Sequence, residues 1–390
     1  MADSILFHMK NNIQCIIICL SIFYSCTNSS PSNYRLFEKE KLIPIDLNIN
    51  DKVSFYDLFS KVEIIPLETT TNSLLTFPIG EPDRIIMDDE KFYFLDIKQH
   101  SIIIFNKDGK FFKKMDYRGM GPNEYISIHD FNINRFNKNI EILSPEGRYI
   151  NIYDPFGEVF IEKIHLPQDM PVIHYFQHLT NDIYAFLSCV GPVEILFYSH
   201  KDNKFIRSNY SLPEWITKTI FRPSKNPFFI FNDSLCFQQQ YNGDVFTITS
   251  TKYEFVSRYY WDFGQHNFEL FSIFPKDESI NFYMDLSNKV SMKFAVLFLI
   301  YKENSKYYIT RFKYKNRHNH LIFDKLTNKY LLFEKFIEGG QFLPQWIDDE
   351  AAYTFVSPEF INNVLNLALV KNENHLKDDD NPVIIKYTFK

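Results

Sequence analysis

The sequence predicts an all-β fold: a six-bladed β-propeller of four-stranded antiparallel blades, with a helical insertion and a short C-terminal helix. Three observations carry that prediction. The first is composition. Of 390 residues, 45% are hydrophobic and 17% aromatic, with 41 Phe and 24 Tyr but only 11 Gly. Phe, Tyr, Ile and Val suit half-buried pleated surfaces. The second is a unit of four short apolar runs, separated by polar turns, that recurs from Lys61 onward. Four strands per unit at a regular spacing is the pattern of propeller blades. The third is a strand near each end of the chain, Val62–Leu67 and Pro382–Phe389, without a partner in its own unit. Paired, these two complete a sixth blade and protect the edges of the ring. A two-domain β-sandwich is the alternative, and it accounts less well for a unit length that holds across four blades.

The N-terminus has its own organisation. Lys10 supplies a positive charge after a second possible start at Met9, and an apolar run, Ile13–Tyr24, follows. That run is too short to span a bilayer and has the length of a signal sequence. It ends at Phe23-Tyr24-Ser25-Cys26, which resembles a bacterial lipobox, and a polar stretch from Thr27 follows. The expectation is a lipoprotein signal peptide over 1–26 with an acylated Cys26, a tether and lead-in over 27–54, and the propeller over 55–390. An ordinary signal peptide with an incidental cysteine is the other reading. No acidic cluster follows Cys26, which favours the periplasmic side of the outer membrane over the cell surface. Cys15 and Cys19 fall inside the signal, leaving Cys189 and Cys236 in apolar runs. Both read as small buried hydrophobes rather than a disulfide.

The units follow in order. The first runs through Ile85-Ile86-Met87, Phe92–Asp96 and Ser101–Phe105, turns at Asn106-Lys107-Asp108-Gly109 and returns at Lys110–Lys113. Asp-Gly between apolar runs is a strong hairpin cue, because both residues tolerate positive φ. The second runs through Phe131–Ile133, Asn139–Leu143 and Tyr149–Tyr153, then turns at Asp154-Pro155-Phe156-Gly157. Gly109 and Gly157 therefore mark the same point in successive units. The third passes from Tyr175 through Ile183–Leu187 and Glu194–Tyr198 to a turn at Lys201–Lys204. The fourth passes from Phe228 through Ser234–Phe237 and Asp244–Ile248 to Tyr253–Val256. Phe268–Ser291 interrupts as a polar, partly helical insertion, and Met292–Phe336 resumes as a fifth unit. Beyond it, Ile361, Val364, Leu365, Ala368 and Leu369 recur with a helical period, with Ser357 as the cap.

Five short segments stand out from this generic pattern. They are Ile65-Pro66-Leu67-Glu68-Thr69, the strand end Tyr93–Asp96, Phe105 with Asp108-Gly109-Lys110, Gly119-x-Gly121-Pro122-x-Glu124-Tyr125, and Asp380-Asn381-Pro382. On these residues the chain resembles a family of six-bladed β-propeller lipoproteins of Bacteroidetes, distantly similar to NHL-repeat propellers. The resemblance implies fold and location, and it implies no particular activity.

The Gly119–Tyr125 segment joins the first and second units, which places it on a face of the ring. Read as a ligand-contact loop, it offers Arg118 and Glu124 as polar anchors and Tyr125 as a stacking surface, with Gly119 and Gly121 shaping the bend. Loop residues of unusual type point to function more than core residues do. Read as a connector, the glycines permit the bend and Glu124 caps exposed backbone N–H groups. No strand–glycine loop–helix context follows, so it is not a phosphate cradle. The histidine pairs His174/His178 and His318/His320 lack neighbours of metal-ligand type. No serine elbow, zincin helix or cysteine-nucleophile pattern occurs, so neither metal nor cofactor is expected. The net charge of −6, from 42 basic and 48 acidic residues without a basic stripe, lacks the footprint of nucleic-acid binding. The expected function is an envelope-anchored, non-catalytic binding or scaffold module for a glycan, peptide or partner protein. The alternative is a polysaccharide hydrolase or lyase that uses Asp96, Glu124 and Asp348 as channel carboxylates.

Overall fold

The computed structural model describes residues 41–390 except 77–83, 145–147, 189–193, 212–225, 239, 270–286, 341 and 364–375. The described residues form six sheets whose strands pair in chain order. Blade 1 comprises Arg84–Asp88, Lys91–Asp96, Ser101–Asn106 and Phe111–Met115. Blade 2 comprises Asp130–Ile133, Ile140–Ser144, Tyr149–Tyr153 and Phe160–His165. Blade 3 comprises Ile173–His178, Ile183–Ser188, Glu194–Ser199 and Lys204–Ser211, and blade 4 Phe228–Phe231, Ser234–Gln238, Asp244–Ile248 and Phe255–Asp262. Blade 5 comprises Val296–Glu303, Tyr307–Tyr314, Arg317–Asp324 and Lys329–Phe333. Blade 6 takes Trp346–Ile347, Ala351–Val356 and Val383–Phe389 from the end of the chain and Phe59–Pro66 from its beginning. The first strands of successive blades approach one another around an axis. This is the expected six-bladed propeller.

The aromatic composition has a packing cause. Along Lys91–Asp96, Phe92 and Phe94 face blade 6, with Tyr353, Phe355 and Ile384, while Tyr93 and Leu95 face blade 2, with Phe131 and Ile142. Strand side chains alternate between faces, and here both faces are covered. The run is therefore continuously apolar rather than alternating. Blades diverge from the axis, so large rings fill the widening gap. Phe355 meets Phe92 and Phe94 edge-on at 5.6 and 4.9 Å, a favoured aromatic geometry.

Ring closure follows the expected pairing. Phe59–Pro66 runs antiparallel to Val383–Phe389, with Ile64 opposite Ile385. The segments that carry the family resemblance gather at the adjoining seam between blades 6 and 1. Glu68 donates its N–H to Gly109 O at 2.8 Å and accepts from Phe111 N at 2.9 Å. Gly109 has φ +87°, and a Cβ there would stand 2.2 Å from Pro66 O, so the turn admits only glycine. Asn381 donates its side-chain amide to Glu68 O and Ser73 O, and its backbone N–H to Thr69 Oγ1. Asp96 accepts from Thr76 N and Oγ1, holding the same segment to blade 1.

The lead-in is tied down further than the sequence suggests. Leu42–Pro44 adds a fifth strand, parallel, to the outer edge of blade 4, with Ile43 opposite Trp261. Asp51 then exchanges hydrogen bonds with Leu332 on the outer strand of blade 5, 2.8 Å out and 2.9 Å back. Ser54 caps a one-turn helix, Phe55–Leu58, before the closure strand begins. These contacts satisfy backbone groups on edges that would otherwise face water. The C-terminal helix is present over Pro358–Asn363, with Ser357 Oγ accepting from Phe360 N; its expected continuation lies outside the described residues. So do most of the insertion, which shows a 3₁₀ turn at Val290–Met292, the expected signal peptide, Cys26 and Cys189. No helix among the described residues is long and apolar enough to cross a membrane.

Candidate functional site

Long connections, such as Ser211 to Phe228 and Asp262 to Val296, arrive where an inner strand begins, while the turns that leave inner strands, such as Asp88 to Lys91, are tight. Among the described residues, the inner strands line two adjoining cavities. One, of about 100 Å³, includes Arg84, Asn226, Gln238 and Gln345 in its wall. The other, of about 380 Å³, reaches Asp88, Asn132, Arg135, Asp233 and Glu303, and all six inner strands contribute to it. Arg84, Ile85, Phe228, Phe229, Lys302 and Gln345 line both, so the two adjoin at those residues, the waist of one channel.

Asp130, at the start of blade 2, is the central polar group beside this waist. Its Oδ1 lies 3.3 Å from Arg84 Nε, and its Oδ2 accepts from Phe176 N and Asn226 Nδ2, both at 3.1 Å. Asn226 is fixed in turn by Phe176 O and Phe228 N. One carboxylate thus links blades 1, 2 and 3 and the entry to blade 4. Burial pushes Asp130 up from 3.8 to about 6, against the opposing pull of Arg84, the Phe176 and Phe131 amides and Asn226. Because the folded value lies above the unfolded one, folding takes up a proton between pH 4 and 6. The stability this supplies is full below about pH 4 and is lost as pH rises through about 6. Relative to Asp130→Asn, the wild-type protein is expected to lose up to about 3 kcal/mol across that window. Urea unfolding of both proteins at pH 4, 5, 6 and 7 checks this; parallel stability curves would refute it.

Two other channel acids, Glu303 and Asp88, are held by cations. Glu303 is fully buried, and its Oε1 takes Arg258 Nη2 at 2.5 Å and Lys325 Nζ at 2.7 Å. Its Oε2 accepts from Tyr301 OH at 2.8 Å, and Tyr259 OH donates to Tyr301 OH. Asp88 pairs with Lys138 at 2.6 Å. Arg135 donates to the carbonyls of Asp233 and Leu179 at 2.6 and 3.0 Å.

The residues singled out from sequence lie elsewhere. Tyr125 is fully buried among Met115, Ile128 and Phe131 between blades 1 and 2, so it offers no stacking surface. That corrects the ligand-contact reading of this residue: the gap between blades needs a large ring, and Tyr125 fills it. Its phenol donates to His100 O at 3.0 Å and accepts from Tyr117 N at 3.1 Å, and burial drives its pKa far up. Tyr125→Phe leaves those groups without a partner and is expected to cost about 1–3 kcal/mol, measurable by denaturant unfolding. Glu124 Oε2 accepts from Gly121 N at 2.7 Å, the capping role of the connector reading. The same oxygen would stand 1.9 Å from a Cβ on Gly119. Arg118 is exposed and joins Tyr125 only through a backbone bridge.

Asp96, Glu124 and Asp348 do not converge. Asp96 holds Thr76 and Gln99 at the end of blade 1's second strand, whereas Asp348 accepts from Glu350 N and Ala351 N in the turn at the opposite end of blade 6. His178 is a core group, its Nε2 2.7 Å from Glu141 Oε2. His320 is pushed down to about 3 by burial and then by Arg311 and His318. Cys236 is a buried free thiol, pushed up to about 11 by burial, as its apolar setting suggests. Sequence reasoning missed Arg84, Asp130, Asn226 and Gln345. Their shared signal is a polar residue at the opening of a unit's first strand, just where apolar character is otherwise densest.

The fold has counterparts among solved structures. A protein from Bacteroides fragilis described as exported is similar at a TM-score of 0.67 and 13% identity, over 90% of this chain and 99% of that one. A member of the DUF4221 family from Bacteroides vulgatus is similar at a TM-score of 0.51 and 10% identity, over 85% and 97%. Identities this low show a shared fold alone. None of the curated proteins compared with the chain matches it. One family model matches, over residues 40–388, covering every blade and the strap that closes the ring; the chain belongs to the family described as domain of unknown function DUF4934.

Proposed function

We propose that this chain is a non-catalytic binding propeller of the cell envelope, anchored through an acylated Cys26 on the periplasmic side of the outer membrane. Its ligand, a glycan, a peptide or part of a partner protein, seats in the central channel, with Arg118 and Glu124 as further contacts on the rim. The observation that carries the binding reading is the state of the channel acids. Glu303 pairs with Arg258 and Lys325, Asp88 pairs with Lys138, and Asp130 lies 3.3 Å from Arg84. A hydrolase or lyase needs an acid and a base poised to exchange protons with substrate; Glu303 and Asp88 are committed to ion pairs, and Asp130 Oδ2 is taken by Phe176 N and Asn226. The anchor rests on the apolar run Ile13–Tyr24 and its ending at Cys26.

The test pairs binding with turnover. The purified protein is titrated calorimetrically with soluble envelope polysaccharides and peptides, and the same mixtures are assayed for new reducing ends or unsaturated products. Saturable binding without turnover is expected, and product formation would establish the enzyme instead. Palmitate labelling that persists in Cys26→Ala would remove the anchor from the account.

A further inference from the structure

We propose that the channel waist binds a carboxylate, seated on the Arg84 guanidinium and the Gln345 side-chain amide. This deepens the channel-binding reading and rests on it. The argument is an accounting of donors and acceptors, since buried polar groups are normally partnered. Among the described residues Arg84 has one partner, Asp130, and Nε approaches it at 3.3 Å without hydrogen-bond alignment. No acceptor among the described residues takes the Nη groups. Gln345 spends Oε1 on Phe355 N at 2.9 Å, which orients the amide and leaves Nε2 without an acceptor.

Most neighbouring acceptors are already used, and Asp130 Oδ1 faces only the charge of Arg84. Asp130 Oδ2 and Asn226 Oδ1 receive backbone and amide donors, and Glu303 and Asp88 receive cations. The waist therefore offers donors, one of them a planar cation, and few acceptors. Its complement is an acceptor with negative charge, and a carboxylate matches the guanidinium fork in two parallel hydrogen bonds. One negative charge suits the site better than two, because Asp130 is already beside Arg84. The adjoining space of about 380 Å³ accommodates the body of a small ligand, against a wall that includes Phe228 and Phe229.

The full-length protein is titrated with D-glucuronate against D-glucose, and with glycylglycine against glycylglycine amide. Each pair differs at the carboxyl group, and the two pairs distinguish a sugar acid from a peptide terminus. At least one acid is expected to bind saturably, with its neutral counterpart weaker by about tenfold or more. Arg84→Gln combined with Asp130→Asn removes both charges together, so no lone ion stays buried. This double variant is expected to weaken the acid about 10- to 100-fold and to leave the neutral compound unchanged. Gln345→Leu, which leaves the ion pair intact, is expected to weaken the acid in the same direction. Equal binding of acid and neutral compound, undiminished affinity in both variants, or no binding of either acid would overturn the carboxylate seat. The first two would leave channel binding standing, whereas turnover of an envelope polymer would overturn that reading itself.

Discussion

A chain begun at Leu67, without the outer strand of blade 6, is expected to lose its cooperative unfolding transition. The reason lies in how the ring is closed. Phe59–Pro66 is bonded along Val383–Phe389, so the two ends of the chain meet in one sheet and nothing covalent holds them. Removing the strand exposes the edge of the C-terminal strand and uncovers Tyr387, Phe336 and Phe342, which pack against Phe59 at ring separations of 5.0, 6.2 and 5.5 Å. It also detaches the strap, since Leu42–Pro44 and Asp51 reach blades 4 and 5 from the same segment. Urea unfolding followed by tryptophan fluorescence should show a single sharp transition for residues 41–390 and a broad drift for residues 67–390. Equal midpoints and slopes would show that closure does not hold the ring. The point variant Phe59→Ala, at a fully buried site, is expected to cost about 3–5 kcal/mol.

Glu303→Gln is expected to be comparably severe, at about 3–5 kcal/mol, for an electrostatic reason. The carboxylate compensates two cations, Arg258 and Lys325, whose side chains are only 21% and 16% exposed. Lys325 also lies over the rings of Phe231 and Tyr308, at 4.3 and 4.2 Å. Both cations are mostly buried against the same carboxylate oxygen, so losing the acid's charge leaves them uncompensated side by side. Gln keeps a single acceptor oxygen, so turning it to the cations sets the NH2 group against Tyr301 OH; burial, first among the causes, already holds the Tyr301 and Tyr259 phenols protonated. Adding Lys325→Met should restore part of the loss, because one of the uncompensated charges is removed. A loss below about 1 kcal/mol, or strict additivity in the double variant, would count against this account.

The strands were legible because a blade buries both faces. Segments such as Phe92–Leu95 and Ile102–Phe105 stay apolar throughout, and tight turns with their own chemistry punctuate the strands, Gly109 and Gly157 at positive φ among them. Ring closure was legible for the converse reason: two strands lacked partners within their units. Leu42–Pro44 was not, since three residues carry no period and their partner is the edge of a distant blade. The channel was hidden as well. Arg84, Asp130 and Gln345 lie far apart in sequence, and only the identity of each innermost strand brings them together. The segments most distinctive in sequence serve backbone geometry instead. Gly109 lies against Pro66, Asn381 ties Glu68 to Ser73, and Glu124 closes the loop over Gly119 and Gly121. A specific motif therefore marked a demanding turn, while the candidate site was built from ordinary polar residues at strand openings.

The most direct test is a crystal structure of the full-length protein grown with the tightest-binding of the four probe compounds. The account predicts an intact carboxylate on Arg84 and Gln345 at the waist of the channel. A ligand bound only at the rim beside Arg118, or a cleaved product in the channel, would contradict it.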